Sequence, residues 1–236
     1  MGPGPSGDRH RPGTEGAPTH VVDSAKLAAE AAPTVAGCGF VLFDTAIGQC
    51  GIVWSGRGVL GIELPGATAE VTRERLTRRH PGARPLQAPP WVGRLVEQIQ
   101  RHLGGDHHDL ADITLVMDGV PPFHQQVYGQ ARRVRSGTTI TYGELASRLG
   151  SPRAARAVGQ ALARNPFPIV VPCHRVLAAN GRIGGFSADG GAETKRRMLA
   201  IEGVAVPGSV RVPASDGPGF DPQAAVAHAR PSRTGP

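Results

Sequence analysis

The sequence predicts an α+β protein, with a strand-rich N-terminal half followed by a mainly helical half that contains a helix-turn-helix. Three observations carry this expectation. Three short runs, residues 39–44, 51–54 and 59–64, are rich in β-branched and aromatic side chains and are separated by glycine-bearing turns, as in an antiparallel meander. Residues 91–103 place Val92, Leu95, Val96, Ile99 and Leu103 at the spacing of an amphipathic helix. Thr141-Tyr142-Gly143-Glu144 reads as a capping box, and Gly150-Ser151-Pro152 reads as a turn opening a second helix.

In chain order, residues 1–35 are rich in Gly, Pro and Ala without periodicity and are expected to be a disordered tail. The N-terminal domain is expected over 36–118. Within it, residues 67–80 read as a helix stopped by Pro81, and 113–117 as a further strand ended by Asp118-Gly119. A second domain is expected over 119–206. Pro122 opens a helix with Phe123, Val127, Ala131 and Val134 on its apolar face, ended by Gly137. The capping box starts a short helix running to Leu149. Ser151 as N-cap and Pro152 at the first helical position start the next, which runs to about Arg164 and stops before Asn165-Pro166. That second helix carries Arg153, Arg156 and Arg164 among small residues, which let its backbone approach either a groove or a packed neighbour. Residues 181–191 form a glycine-rich loop, 192–202 a last helix with Gly203 just past its end, and 207–236 a second disordered tail.

Composition narrows the function classes. No apolar stretch approaches the roughly 20 residues of a membrane span, and no apolar region marks a secretory signal. Three widely separated cysteines do not make a disulfide framework, so a reduced, cytoplasmic setting is expected. Charge is uneven: residues 121–204 hold 12 Lys and Arg against 4 Asp and Glu, while the rest of the chain holds 14 against 15. The basic excess of the second half is the pattern of a polyanion-binding domain, or of a merely solvated basic surface. Nucleotide-binding glycine fingerprints are absent.

The chemistry centres on Pro172-Cys173-His174-Arg175-Val176, at the end of the apolar run 167–171. A thiol must ionise to attack, and a neighbouring imidazole favours this. On a strand, Cys173 and His174 would face opposite ways. Cooperation therefore requires the strand to end at Pro172 and the cysteine to open a turn. An inert buried cysteine is the bland alternative. Glu202, an acid at a helix C-terminus against the macrodipole, calls for a partner, and His174 is the candidate. Cys38 and Cys50 lie at strand edges and read as structural; zinc binding with His80 or His20 is the weaker alternative, and no metal or cofactor is expected. His107-His108 reads as a solvated loop pair.

Four blocks then closely resemble the methylated-DNA–protein-cysteine methyltransferases, the O6-alkylguanine-DNA alkyltransferases. They are the segment from Ile140 to Ala146; Ala154-Ala155-Arg156-Ala157-Val158-Gly159; Asn165-Pro166 through Pro172-Cys173-His174-Arg175-Val176; and Glu202-Gly203. The resemblance implies a ribonuclease-H-like N-terminal domain and a helix-turn-helix domain holding the active site. It implies one-time transfer of an alkyl group from O6-alkylguanine, and O4-alkylthymine, in double-stranded DNA, after minor-groove binding and base flipping. In that reading Cys173 accepts the alkyl group, His174 acts as base through a water, Glu202 orients the histidine, and Asn165 is the hinge asparagine. Tyr142 assists extrusion and hydrogen-bonds the guanine. Arg156 fills the vacated stack, and Arg153, Ala154, Ser151 and Gly159 line the DNA-binding helix. Ser187, Gly185, Val176 and Tyr142 border the substrate pocket. No cofactor is implied, because the DNA is the alkyl donor, and the protein is expected to be a monomer, with cooperative loading on DNA left open. Two other readings remain at this point: a non-enzymatic lesion-sensing or regulatory DNA-binding protein with an idle cysteine, and a cysteine hydrolase, which would turn over and would not need the basic helix.

Overall fold

The computed structural model describes residues 1–2, 37–185 and 190–205. The tails discussed above, apart from residues 1–2, lie outside the described residues, as do His20 and Ser187.

The expected meander forms. Strands β1 (Cys38–Thr45), β2 (Gly48–Ser55) and β3 (Gly58–Glu63) pair antiparallel, and β4 (Ala83–Pro85) adds parallel to β1, giving the order β3-β2-β1-β4. Period-2 alternation sends the side chains to two cores. Phe40 and Val53 pack with Leu76 of helix α1 (Ala69–Arg79) on one face. Phe43, Cys50, Ile52 and Trp54 point to the other face, toward helix α2 (Pro90–Leu103). β2 is buried on both faces because each side of the sheet carries a helix. Helix α1 is capped by Thr68, whose side chain accepts from Val71 N. Helix α2 buries Val92, Leu95, Ile99 and Leu103 of its predicted stripe, with Val96 half-buried, and buries His102 as well.

The second half holds α3 (Pro122–Ala131), β5 (Ile140–Thr141), α4 (Tyr142–Arg148), α5 (Ala155–Ala163), a 3-10 turn at Cys173–Arg175, β6 (Val176–Leu177) and α6 (Ala192–Ile201). The capping box is complete: Thr141 Oγ1 accepts from Glu144 N at 3.1 Å, and Thr141 N donates to Glu144 Oε2 at 2.7 Å. β5 and β6 pair parallel, Ile140 with Val176, which brings the start of α4 beside the residues that follow the cysteine. One buried cluster draws from both halves, with Ile52, Trp54 and Ile99 joined to Val127, Leu145, Val158, Phe167 and Met198. Backbone bonds also cross: Ile62 N donates to Pro166 O at 2.9 Å. Val59 N donates to Thr114 O at 3.0 Å beside Gly58, where a Cβ would meet that carbonyl at 2.7 Å.

Four local expectations are corrected. Residues 113–117 do not form a strand; Val59 and Leu115 make only an isolated bridge. Helix α3 ends at Ala131, because Arg133 N and Val134 N turn to the carbonyls of Gln130 and Ala131 in tight i→i−3 bonds. Val134 is still buried, from the turn. Ser151 and Pro152 do not cap and open α5. The Ser151 carbonyl accepts from Ala154 N at 2.8 Å, closing a turn, and the helix starts at Ala155 with Ala154 at the N-cap and no side-chain cap bond. The run 167–171 is a turn rather than a strand: Val171 N donates to Phe167 O at 2.8 Å, and Ile169 sits at φ 76°. A β-branched residue at positive φ is strained, and here the strain lies beside the cysteine.

Candidate active site

Cys173 opens the 3-10 turn, with Pro172 at its N-cap. The chain thus turns at Pro172, as cooperation between Cys173 and His174 requires. The thiol is buried at 8% exposure at the edge of a cleft of about 340 Å³, whose other walls include Ile62, Leu162, Asn165, Pro166 and Pro168. Burial pushes the Cys173 thiol above its ordinary value. The Asn165 side chain, the Lys195 charge and the backbone amides of Cys173 and His174 act against that rise. Cys50 is also buried and pushed up to about 12; Thr45 Oγ1, 3.7 Å from its sulfur, opposes the rise and Glu63 adds to it.

His174 is fully buried and turns Nε2 to Glu202 Oε1 at 2.8 Å. Glu202 sits at the C-cap of α6, followed by Gly203 at φ 74°. Burial alone would raise the Glu202 carboxyl, but hydrogen bonds from His102, His174 and Arg175 hold it well below the usual carboxylate range. An ionised carboxylate accepts only. Each imidazole on it therefore carries its proton on Nε2, which leaves Nδ1 of His174 as a buried lone pair with no hydrogen-bond partner among the described residues. Burial lowers the His174 pKa and Glu202 partly offsets this, so the ring is suited to remain neutral and accept a proton.

Sequence reasoning missed three parts of this cluster. Arg175 Nε bonds both oxygens of Glu202, at 3.1 and 3.0 Å, and its Nη1 reaches Val134 O at 2.5 Å and Asp109 Oδ1 at 3.4 Å. His102, from α2, places Nε2 3.1 Å from Glu202 Oε1. It occupies the apolar stripe one residue from Leu103, and a histidine on that face was the available signal. Lys195, fully buried on α6, donates to Val176 O at 2.6 Å and lies 5.8 Å from the Tyr142 ring centroid. The donor atoms of His102, His174 and Glu202 lie within 4.8 Å of one another, but the guanidinium of Arg175 already brings a cation to the carboxylate. A divalent ion there would meet that charge at close range.

Tyr142 begins α4 and stands between two glycines. A Cβ at Gly184 would meet its Oη at 3.4 Å, and one at Gly159 of α5 would meet the ring at 3.8 Å. Burial, then the neighbouring Cys173, raise its hydroxyl pKa, so the phenol keeps its proton and can donate. Tyr128, also not anticipated, donates its hydroxyl to Ala161 O at 2.9 Å and fastens α5 to α3. Val176 is buried beneath the turn, and Gly185 is exposed at the edge of the described loop. Ser151, Arg153 and Arg156 are exposed, while Ala154 and Gly159 are half-buried. Arg153, Ala154, Arg156, Ala157 and Gln160 line a shallow depression at the start of α5. His108 is half-buried rather than solvated, its ring edge-on to His102 at 5.6 Å.

Known proteins resemble this chain in sequence and in fold. The family model described as "6-O-methylguanine DNA methyltransferase, DNA binding domain" matches residues 122–204. The methylated-DNA–protein-cysteine methyltransferase of Methanothermobacter thermautotrophicus is 34% identical over 160 residues, covering 67% of this chain and 81% of that protein. The Mycobacterium tuberculosis O6-methylguanine methyltransferase structure superposes with a TM-score of 0.58 at 30% identity, over 73% of this chain and 96% of that one. The structure of Mycobacterium tuberculosis OGT in complex with DNA gives 0.57 at 31% identity, over 70% and 92%. With that identity spread across two thirds of the chain, and the fold matching over most of both molecules, the chain belongs to the methylated-DNA–protein-cysteine methyltransferase family.

Proposed function

We propose that this protein repairs DNA by direct reversal, moving the alkyl group of O6-alkylguanine, and of O4-alkylthymine, irreversibly onto Cys173. The observation that carries this is the buried thiol beside a histidine whose Nε2 is held by Glu202 and whose Nδ1 is left as a lone pair. The thiol proton passes, through a water, to His174 Nδ1, and Glu202 stabilises the imidazolium that forms. The sulfur attacks the alkyl carbon, the S–C bond forms as the C–O6 bond breaks, and the guanine leaves with its electron pair. Tyr142, protonated and close to the loop glycines, donates a hydrogen bond to the departing base; contact of Ser187, outside the described residues, with the guanine oxygen rests on the family resemblance alone. The product is a thioether, a poor leaving group, so each molecule acts once. No step calls for a cofactor.

The β3-β2-β1-β4 order with its single parallel edge pair supports a ribonuclease-H-like reading of residues 36–118. The α4–turn–α5 pair supports a helix-turn-helix within 119–206. In this reading α5 enters the DNA minor groove with Ser151, Arg153, Ala154, Arg156 and Gly159 at its leading end, the damaged base swings out toward Cys173, and the protein works as a monomer in the cytoplasm. Among the described residues no helix is long and apolar enough to cross a membrane.

The test is intact and peptide mass spectrometry after incubation with excess O6-methylguanine duplex. One methyl per protein, on the Cys173 peptide and absent in Cys173→Ser, is the expected result. Methyl on Cys38 or Cys50, or steady turnover, would overturn it, and no transfer at all would favour the regulatory reading.

A further inference from the structure

We infer that His102, supplied by α2 of the N-terminal half, is a positioning residue of the alkyl-acceptor site, acting through the Glu202 carboxylate to set how strongly that carboxylate holds His174. The inference rests on the reading of Cys173 and His174 given above.

The geometry is specific. Glu202 Oε1 faces His174 Nε2 at 2.8 Å, Arg175 Nη2 at 2.9 Å, and His102 Nε2 and Arg175 Nε each at 3.1 Å. Oε2 takes only Arg175 Nε, at 3.0 Å, among the bonds the structure records. A carboxylate oxygen offers about two lone-pair directions, so Oε1 is oversubscribed. Every donor added to it weakens the bond left for His174. His102 is therefore a competitor as well as a support. It steadies the carboxylate while reducing how far that carboxylate can favour the charged form of His174. A base that must be neutral before it takes the thiol proton benefits from this restraint.

The groups around both rings are consistent with this. His174 faces Glu202, Arg175 and His102, and the charge of Arg175 acts to keep it neutral. His102 faces Glu202 and the edge of the His108 ring, and His108 in turn lies 3.6 Å from Asp106. Asp109 meets Arg175 rather than either imidazole. Lys195, on α6, is the charge that bears on Cys173. His102 is 1% exposed at its side chain, and its own Nδ1 has no hydrogen-bond partner among the described residues. Among the described residues, this buried imidazole is thus held by one hydrogen bond, and that bond belongs to the site.

The experiment compares the wild-type protein with His102→Leu and His102→Gln in single-turnover transfer from O6-benzylguanine across pH. Leucine removes the N–H, and glutamine returns an amide N–H to nearly the same place. In His102→Leu, Oε1 is relieved of a donor, His174 protonates more readily, and the acid limb of the profile moves up by about half a pH unit or more. In His102→Gln the limb stays near the wild-type position. Equal profiles for the two variants, or a changed rate with an unmoved limb, would overturn the inference. In the unmodified protein, nitrogen NMR shifts of the imidazoles give a second test that needs no variant. His102 must carry its proton on Nε2 at the pH of fastest transfer, and an unprotonated Nε2 would overturn the inference. Wild-type protein that transfers no benzyl group would instead sink the reading of Cys173, so the two failures are distinct.

Discussion

Asn165 donates from Nδ2 to the carbonyl of Val171 at 2.9 Å, two residues before the cysteine. The same side chain accepts from Phe167 N at 2.9 Å, so one amide braces both ends of the strained turn that carries Ile169. The Asn165 side chain also favours ionisation of Cys173.

Asn165→Ala should therefore act on fold and chemistry together. It strips two backbone groups of their partners, at a cost of about 1–3 kcal/mol where they are buried. Urea unfolding should show a lower midpoint, and an alkylating probe should label Cys173 only at higher pH. A stability change within about 0.5 kcal/mol and an unmoved labelling profile would show that the brace is dispensable.

Glu202→Gln should be costly. The folded carboxyl lies below its unfolded value of about 4.3, so its stabilisation is complete above that pH and is lost as pH falls toward the folded value. At neutral pH the variant leaves the buried Arg175 with only the longer carboxylate contact to the half-exposed Asp109, and breaking a buried pair costs about 3–5 kcal/mol. Denaturant unfolding at pH 7 should show that loss, and the gap between the two proteins should narrow as both are acidified below about pH 4. Transfer should slow as well, because the imidazolium of His174 loses its counter-charge. A variant that stays as stable as wild type at pH 7 would remove Glu202 from the centre of the site.

The elements legible in the sequence are those whose causes are local. Thr141 and Glu144 cap the same turn, Gly203 follows its own helix end, and the stripe from Val92 to Leu103 is a property of one helix. What was hidden depends on partners far along the chain. β4 exists because Ala83–Pro85 lies parallel to β1, a pairing no hairpin signal announces. His102 meets Glu202 across 100 residues, and Arg175 reaches back 41 residues to Val134. Ser151-Pro152 shows the converse. The local cap signal was present, but the Ser151 carbonyl closed a turn on Ala154 and delayed the helix to Ala155. The positive φ of Ile169, in a turn whose two ends Asn165 bonds, is likewise not signalled by the Val and Ile content of its run.

Lys195 gives a prediction with the opposite pH sense from Glu202. Burial lowers its pKa to about 8, and the nearby Cys173 only partly opposes this. The unfolded lysine binds its proton up to about 10.4. Between those values the unfolded chain holds more protons than the folded one, so stability rises with pH there. The full rise is on the order of 3 kcal/mol. Below pH 8 the penalty for burying the charge is present in full. Denaturant unfolding from pH 7.5 to 10 should show the rise in wild type and not in Lys195→Met. The variant should also label Cys173 at higher pH, because the cation that favours the thiolate is gone. A flat wild-type stability profile over this window would contradict the assignment.

Arg156 distinguishes two ways in which α5 can use DNA. It is exposed in the first turn of that helix, beside Arg153 and the small residues Ala154 and Ala157. If it only touches phosphates, Arg156→Ala should weaken binding to all DNA alike, lower the salt slope by about one counterion and leave the rate on bound substrate unchanged. If it enters the stack and holds the gap left by the extruded base, the loss should appear in the flipping step. Flipping costs a few kcal/mol in a paired duplex and less where the base is already unpaired. The expected pattern is a strong slowing of transfer on duplex O6-methylguanine, a smaller one at a mismatch and only a mild one on free O6-benzylguanine. The small residues Ala154, Ala157 and Gly159 favour this outcome, because they would allow the helix backbone to come close to a groove floor. A free base needs no extrusion, so equal slowing on duplex and free base would assign Arg156 to positioning within the protein and away from the DNA stack.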